Sequence, residues 1–146
     1  MEPFPTGDRE TAYDLYQRGE ALLRARHHAQ AAIVLERAAR LEPGKMSILE
    51  SLGRAYYNSG QHERSRDAFS QLLEIDPSAH YAHYALGQSL KRLGRTAEAR
   101  THLKLAVALS PGTPLYRQAL ARVPEVVPGD EPGSGSEAPA EGDRGE

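Results

Sequence analysis

The sequence has no cysteine and no tryptophan, and two of its 146 residues are phenylalanine. Without cysteine there can be no disulfide framework, no thiolate metal site and no cysteine nucleophile. Apolar runs extend no further than the five residues from Ala31 to Leu35, far short of the roughly 20 that cross a bilayer. The opening Met-Glu-Pro-Phe-Pro-Thr-Gly-Asp has neither a basic start nor an apolar stretch. It does not read as a signal peptide, and the expectation is a cytoplasmic protein with no membrane partner. A phosphate-cradling Gly-rich loop, a Gly-x-Ser-x-Gly elbow and a His-Glu-x-x-His pair are also missing. The six histidines do not make up for this. His27, His28 and His62 fall in turns, and His80 and His83 lie three apart with no carboxylate at helical spacing to complete a site. No metal, no cofactor and no enzymatic activity are expected.

What is present is lean but globular: 39% apolar and 26% charged residues, with seven tyrosines. The formal net charge of −2 hides a split. Residues 124–146 carry seven acids and one arginine, with four Pro and five Gly. Such a segment buries too little apolar surface to offset its ordering entropy, so it reads as a disordered acidic tail. Its plain role is to solubilise; its sharper role is an acidic flap over the chain's own basic surface. Residues 1–8 read as a flexible N-terminus and 9–123 as one domain. Basic and acidic side chains are interspersed over several faces of that domain, so no nucleic-acid partner is expected.

The chain repeats itself at a period of 34. Gly19, Gly53 and Gly87 align, as do Pro43, Pro77 and Pro111. So do Leu22/Tyr56/Leu90, Leu35/Phe69/Leu103, Ala31/Ser65/Ala99 and Ala38/Leu72/Ala106. Within each copy apolar residues recur at spacings of three and four, broken once in the middle, which predicts two helices. Gly60 and Gly94 suit the left-handed residue that closes a helix; the first copy has Arg26 there, so its turn should be less ideal. Each proline ends a second helix. The pairs Gly19/Ala31, Gly53/Ser65 and Gly87/Ala99 are expected to let two backbones approach.

These residues resemble a known family. Leu15-x-x-Arg18-Gly19-x-x-Leu22 with Ala31, Leu35, Ala38 and Pro43 is similar to the tetratricopeptide repeat, as are its two successors. The resemblance implies an all-α, right-handed α-solenoid of antiparallel helix pairs. Its repeats would span 12–45, 46–79 and 80–113, with a capping helix at 114–123. Leu115, Leu120 and Val123 are expected to cover the last apolar face, and truncation at residue 112 to lower the melting temperature or cause aggregation.

The same resemblance places the first helix of each pair on the concave face. If Leu15, Gly19, Leu22 and their equivalents face the core, the opposite stripe faces a groove. That stripe holds Tyr13, Tyr16, Gln17, Glu20 and Leu23, then Glu50, Ser51, Arg54, Tyr57 and Asn58. It continues with Tyr81, Tyr84, Gln88, Lys91 and Arg92, and Gln118 and Arg122 extend it through the cap. Five of the seven tyrosines lie on it, and tyrosine gives wide contact area at low entropy cost; the same rings could instead only pack laterally. Acids lie toward the first repeat and Arg54, Lys91, Arg92 and Arg122 toward the last, which suits a partner segment with acidic groups near the C-terminal repeats.

The family's clamp for chaperone C-terminal carboxylates uses Lys, Asn, Asn, Lys and Arg. The matching positions here are Tyr16, Glu20, Ser51, Tyr81 and Ala85, so that ligand is not expected. The reading is a non-catalytic adaptor or scaffold binding a protein or peptide segment in the groove. The alternatives are a small secretion-type chaperone holding a client, and a structural or accessory subunit using its convex face. Self-association fits any of the three.

Overall fold

The structure is a computed structural model that describes residues 10–125. The expected N-terminal segment at 1–8 and nearly all of the expected acidic tail lie outside the described residues. Among those described, seven helices follow one another: α1 (Ala12–Arg24), α2 (His28–Leu41), α3 (Met46–Asn58), α4 (His62–Ile75), α5 (His80–Arg92), α6 (Thr96–Leu109) and α7 (Pro114–Ala121). They pack as the antiparallel pairs α1–α2, α3–α4 and α5–α6, each pair stacked on the next, with α7 against α6. The architecture is an all-α solenoid.

Local chemistry explains the boundaries. Thr11 caps α1: its hydroxyl accepts from the Asp14 N–H at 3.0 Å, and the Asp14 carboxylate accepts from the Thr11 N–H at 3.1 Å. The second helices stop two residues before Pro43, Pro77 and Pro111. The turns inside the second and third pairs place Gly60 and Gly94 at φ of 84° and 78°; the first pair puts Arg26 there at 67°. A side chain in that region costs free energy that glycine avoids. Arg26→Gly is therefore expected to stabilise the chain by roughly 0.5–1 kcal/mol, the gain being trimmed by glycine's extra freedom when unfolded. A higher urea midpoint at unchanged m-value checks it.

Within each pair the first-helix glycine admits the partner helix, as its spacing predicts, but the group pressed against it is a large side chain. A Cβ on Gly19, Gly53 or Gly87 would lie 2.5, 2.5 or 2.8 Å from Leu35, Phe69 or Leu103. The small residues do sit nearby: the Ser65 hydroxyl is 3.0 Å from the Gly53 carbonyl oxygen, and the Ala99 oxygen is 3.2 Å from the Cβ position of Gly87.

A second buried stripe links pair to pair. Ile48, Ala82 and Tyr116 form one 34-residue column, Ser51, Ala85 and Ala119 another, and Ala55, Ser89 and Val123 a third; all nine are buried. Their counterparts in α1 are Asp14, Gln17 and Ala21, which are exposed, α1 being the first helix among the described residues. The stripe corrects three expectations. Ser51, assigned to the groove, is buried. Leu23, also assigned there, packs with Leu52, Ala55 and Tyr56, while Leu22 is only partly buried. Leu115, expected to cover the last repeat, is 48% exposed, and Tyr116 and Ala119 join Val123 instead. The reason is register: α7 continues the period, so its buried face is the one α3 and α5 present to the pair before them.

Candidate functional site: the inner groove

The first helices of successive pairs touch one another, α1 with α3 and α3 with α5, and so form the inner wall of the stack. One 34-residue column runs along it: Glu20, Arg54, Gln88 and Arg122. Its first two members partly neutralise each other, because Glu20 accepts from the Ser51 hydroxyl and lies 3.9 Å from the Arg54 guanidinium. The net positive charge of the wall therefore comes from Lys91, Arg92 and Arg122, all exposed.

Apart from Tyr56 in the core, the tyrosines divide into four settings. Tyr13 is 63% exposed, its hydroxyl accepting from the Gln17 amide at 2.7 Å. Tyr16 is half-buried and packs against both N-terminal core clusters. Tyr81, Tyr84 and Tyr116 make a ladder with Phe69 across α4, α5 and α7: Phe69 to Tyr81 at 6.2 Å between centroids, Tyr81 to Tyr84 at 5.9 Å, and Tyr84 to Tyr116 at 5.2 Å. Edge and tilted geometries such as these are the favourable ones for aromatic pairs. Tyr116 ends the ladder with its hydroxyl 2.8 Å from His80 Nδ1. Tyr57 stands opposite. The Arg92 guanidinium carbon lies 5.7 Å from its ring centroid, Arg92 Nε donates to its hydroxyl at 3.2 Å, and His62 packs edge-on at 5.0 Å.

Between Tyr57 and the ladder opens a cleft of about 220 Å³, with Arg54, Tyr57, Asn58, Tyr81, Tyr84 and Gln88 around it and Phe69 and Ala85 below. Burial raises the Tyr81 and Tyr84 hydroxyls above the usual phenol range, so both remain neutral donors at physiological pH. For Tyr81, Arg54 opposes that shift and Glu50 adds to it. The Gln88 side chain hydrogen-bonds Tyr84, and its Oε1 is buried in the cleft wall.

The structure thus gathers Arg54, Tyr57, Tyr81, Tyr84, Gln88 and Arg92 around or beside one cleft. It leaves Tyr13 and Tyr16 toward the other end of the wall, with Glu20 next to Arg54. Phe69 and Tyr116 were not anticipated there. Tyr116 was legible: it lies one period beyond Ala82 and two beyond Ile48. Phe69 carries only a core signal in the sequence, and its ring lines the floor of the cleft because Gly53 gives it room.

The third pair holds a polar anomaly. His83 and His102 stack at 5.3 Å with their Nδ1 atoms 3.1 Å apart, and His83 Nε2 lies 2.8 Å from the Pro77 carbonyl oxygen. That carbonyl only accepts, so His83 carries its proton on Nε2 and His102 donates from Nδ1. Among the described residues no group of three or more His, Cys, Asp or Glu side chains is placed to hold a metal ion. Burial lowers the His102 pKa below 6.5, His83 adds to the shift and Glu98 opposes it. His62 is lowered too, by burial and by Arg92. In both cases the unfolded chain binds the proton more readily. Stability should be fully present above about pH 6.5 and fall as pH drops below it, toward the lowered folded-state values. Thermal melts from pH 7.5 to 5.0 check this. His102→Leu should flatten the profile but leave the part due to His62.

A stack of helix pairs with an aromatic inner groove defines a helical-repeat module, in which each unit contacts only its neighbours. The chain belongs to the tetratricopeptide repeat family, whose model matches residues 16–80 and 50–114. Superkiller complex protein 3 of Mus musculus is 30% identical over 93 residues, which is 64% of this chain but 6% of that protein. The tetratricopeptide repeat and J domain-containing co-chaperone DNJ1 of Cryptococcus neoformans is 30% identical over 97 residues, 66% of this chain and 19% of the relative. The chain thus spans a small fraction of both. Among solved structures, the first TPR of Spaghetti (RPAP3) bound to the HSP90 peptide SRMEEVD superposes with a TM-score of 0.74 at 14% identity, covering 77% of this chain and 90% of that one. No helix among the described residues is long and apolar enough to cross a membrane.

Proposed function

We propose that this chain is a non-catalytic adaptor that takes an extended or helical segment of a partner protein along the inner groove, with the cleft between Tyr57 and Tyr84 as its anchor point. The observation that carries this reading is the cleft itself: an aromatic recess walled by Tyr57, Tyr81 and Tyr84, beside exposed Lys91 and Arg92. An apolar or aromatic side chain would fill the recess. Acidic groups of the same segment would meet Lys91, Arg92 and Arg122. The partner is not a C-terminal carboxylate held by a five-residue clamp. Of the clamp positions, Ser51 and Ala85 are buried and Glu20 carries the wrong charge.

A displayed peptide library tests this. Selected peptides should pair an aromatic or apolar residue with nearby acids. Their affinity should fall about tenfold or more for Tyr57→Ala/Lys91→Glu, as expected for loss of an anchor residue. Tyr57 is the better probe than Tyr84, since Tyr84 also packs against the cap cluster. Selection of peptides indifferent to this variant would remove the groove from the function.

A second reading rests on the outer edge. Leu41, Ile75 and Leu109 form an exposed apolar column, one per repeat, at 56%, 47% and 41% exposure. This favours the structural or accessory role, in which Ile75→Asp abolishes association and the groove variant does not.

A further inference from the structure

Among the described residues the array ends on α7, one helix short of a fourth pair. In every complete pair, the first-helix glycine receives a large apolar side chain sixteen residues on: Leu35, Phe69 or Leu103. One period further, α7 places Ala121 at the glycine position, and the sequence offers Glu137 as the incoming side chain. The segment in register for an eighth helix, 130–143, contains Pro132, Gly133, Gly135, Pro139 and Gly142. Prolines and glycines at that density remove helix hydrogen bonds and raise the backbone entropy cost.

On this side α6 and α7 leave a hollow of about 500 Å³, lined by Arg100, Val107, Arg117, Leu120, Ala121 and Val123. Its lining shares columns with residues that are covered elsewhere. Arg100 lies two periods beyond Ala32, which is 2% exposed beneath the next pair. Val107 lies one period beyond Leu73, which packs against the core.

Two observations narrow what fills the hollow. The first is the path of the chain. Arg100 donates to the Val123 carbonyl at 2.8 Å and to the Glu125 carboxylate at 3.3 Å, so residue 125 departs against α6. The next two residues are Val126 and Val127, the only branched aliphatic side chains from there to the end of the sequence. The second is charge. From 91 to 122 there are seven basic side chains and one acid, whereas 126–146 holds six acids and one arginine. Lys104 lines an adjoining hollow with Arg100 and Glu125.

We propose that residues 126–131 of the chain's own acidic tail dock in this hollow. Val126 and Val127 pack against Val107 and Leu120, and Asp130 and Glu131 face Lys104 and Arg117. The occupant is extended backbone in place of an eighth helix. It covers the end of the solenoid and leaves the inner groove open, so it is independent of the adaptor reading above.

The experiment uses the full chain. Because the sequence has no cysteine, Gly129→Cys gives a unique site for a nitroxide. Amides of Thr101, Lys104 and Leu120 should lose most of their NMR intensity, while those of Arg54 and Gln88 in the groove should keep theirs. In the same background, Val126→Ser/Val127→Ser should abolish the loss and speed hydrogen exchange in α7 about tenfold, with α1–α4 unaffected. Intensity lost mainly at groove amides would assign the tail to the groove instead. Loss arising only between labelled and isotope-enriched chains in a mixed sample would assign the hollow to a second copy. No loss at all, or a loss insensitive to the valine substitutions, would also overturn the proposal.

Discussion

Replacing Phe69 with alanine is expected to destabilise the protein by about 3–5 kcal/mol, the range for deleting a buried aromatic ring. Phe69 is 1% exposed, and its ring lies where a Cβ on Gly53 would be 2.5 Å away. The ring also meets Tyr81 at 6.2 Å and so connects the second pair to the third. No neighbour can fill the space: Gly53 has no side chain, and Tyr81 is tied into the ladder. A loss of that size is a large part of the roughly 5–15 kcal/mol that holds a domain together. Position matters as well as size. In a stack where each unit contacts only its neighbours, weakening the middle pair uncouples both ends. The urea transition should therefore lose cooperativity as well as midpoint, which circular dichroism reads directly. Phe69→Leu restores the residue type found at Leu35 and Leu103 and should cost about 1 kcal/mol. Equal losses from both substitutions would mean that the ring itself, through Tyr81, carries the coupling.

Tyr116→Ala should cost about 3 kcal/mol, by the same loss of a buried ring, whereas Leu115→Ala should cost under about 1 kcal/mol. The adjacent residues differ in setting. Tyr116 is 3% exposed, closes the aromatic ladder at Tyr84 and pairs its hydroxyl with His80; Leu115 is 48% exposed. The damage should be local. Hydrogen exchange should show α7 and the facing sides of α5 and α6 losing protection first, with α1 and α2 little changed. A reversed order for the two residues would mean that α7 packs in the register first inferred for the cap, with Leu115 inward.

The contrast between those neighbours shows how far a sequence carries the reading. A period of 34 with glycine, proline and small-residue columns is enough to predict paired helices, their order and their stacking, because each column reports a local requirement. Gly60 and Gly94 do so for the turns, and Pro43, Pro77 and Pro111 for the helix ends. The stripe joining one pair to the next was also written in the sequence, as Asp14, Gln17 and Ala21 giving way to Ile48, Ser51 and Ala55. A serine and an alanine do not mark a buried face by apolarity, and Ser51 also lies on the stripe opposite Leu49, Gly53 and Tyr56, which alone points it to the groove. Small residues there allow close approach, and hydrophobicity is a poor guide to such a surface.

Which face each helix presents, and to what, was decided by the sequence acting through helical period and repeat register. Those are local properties that any copy of the pattern would show. Only the tertiary structure could decide the chemistry of the groove. Glu20 and Arg54, 34 residues apart, moderate each other's charge, and Arg92 reaches across to Tyr57, 35 residues away. Phe69, from a second helix, forms the floor beneath tyrosines of the first. Such relations depend on the angle at which one pair sits upon the next. That angle comes from how side-chain volumes fit together across the interface, and no single column of the sequence records it.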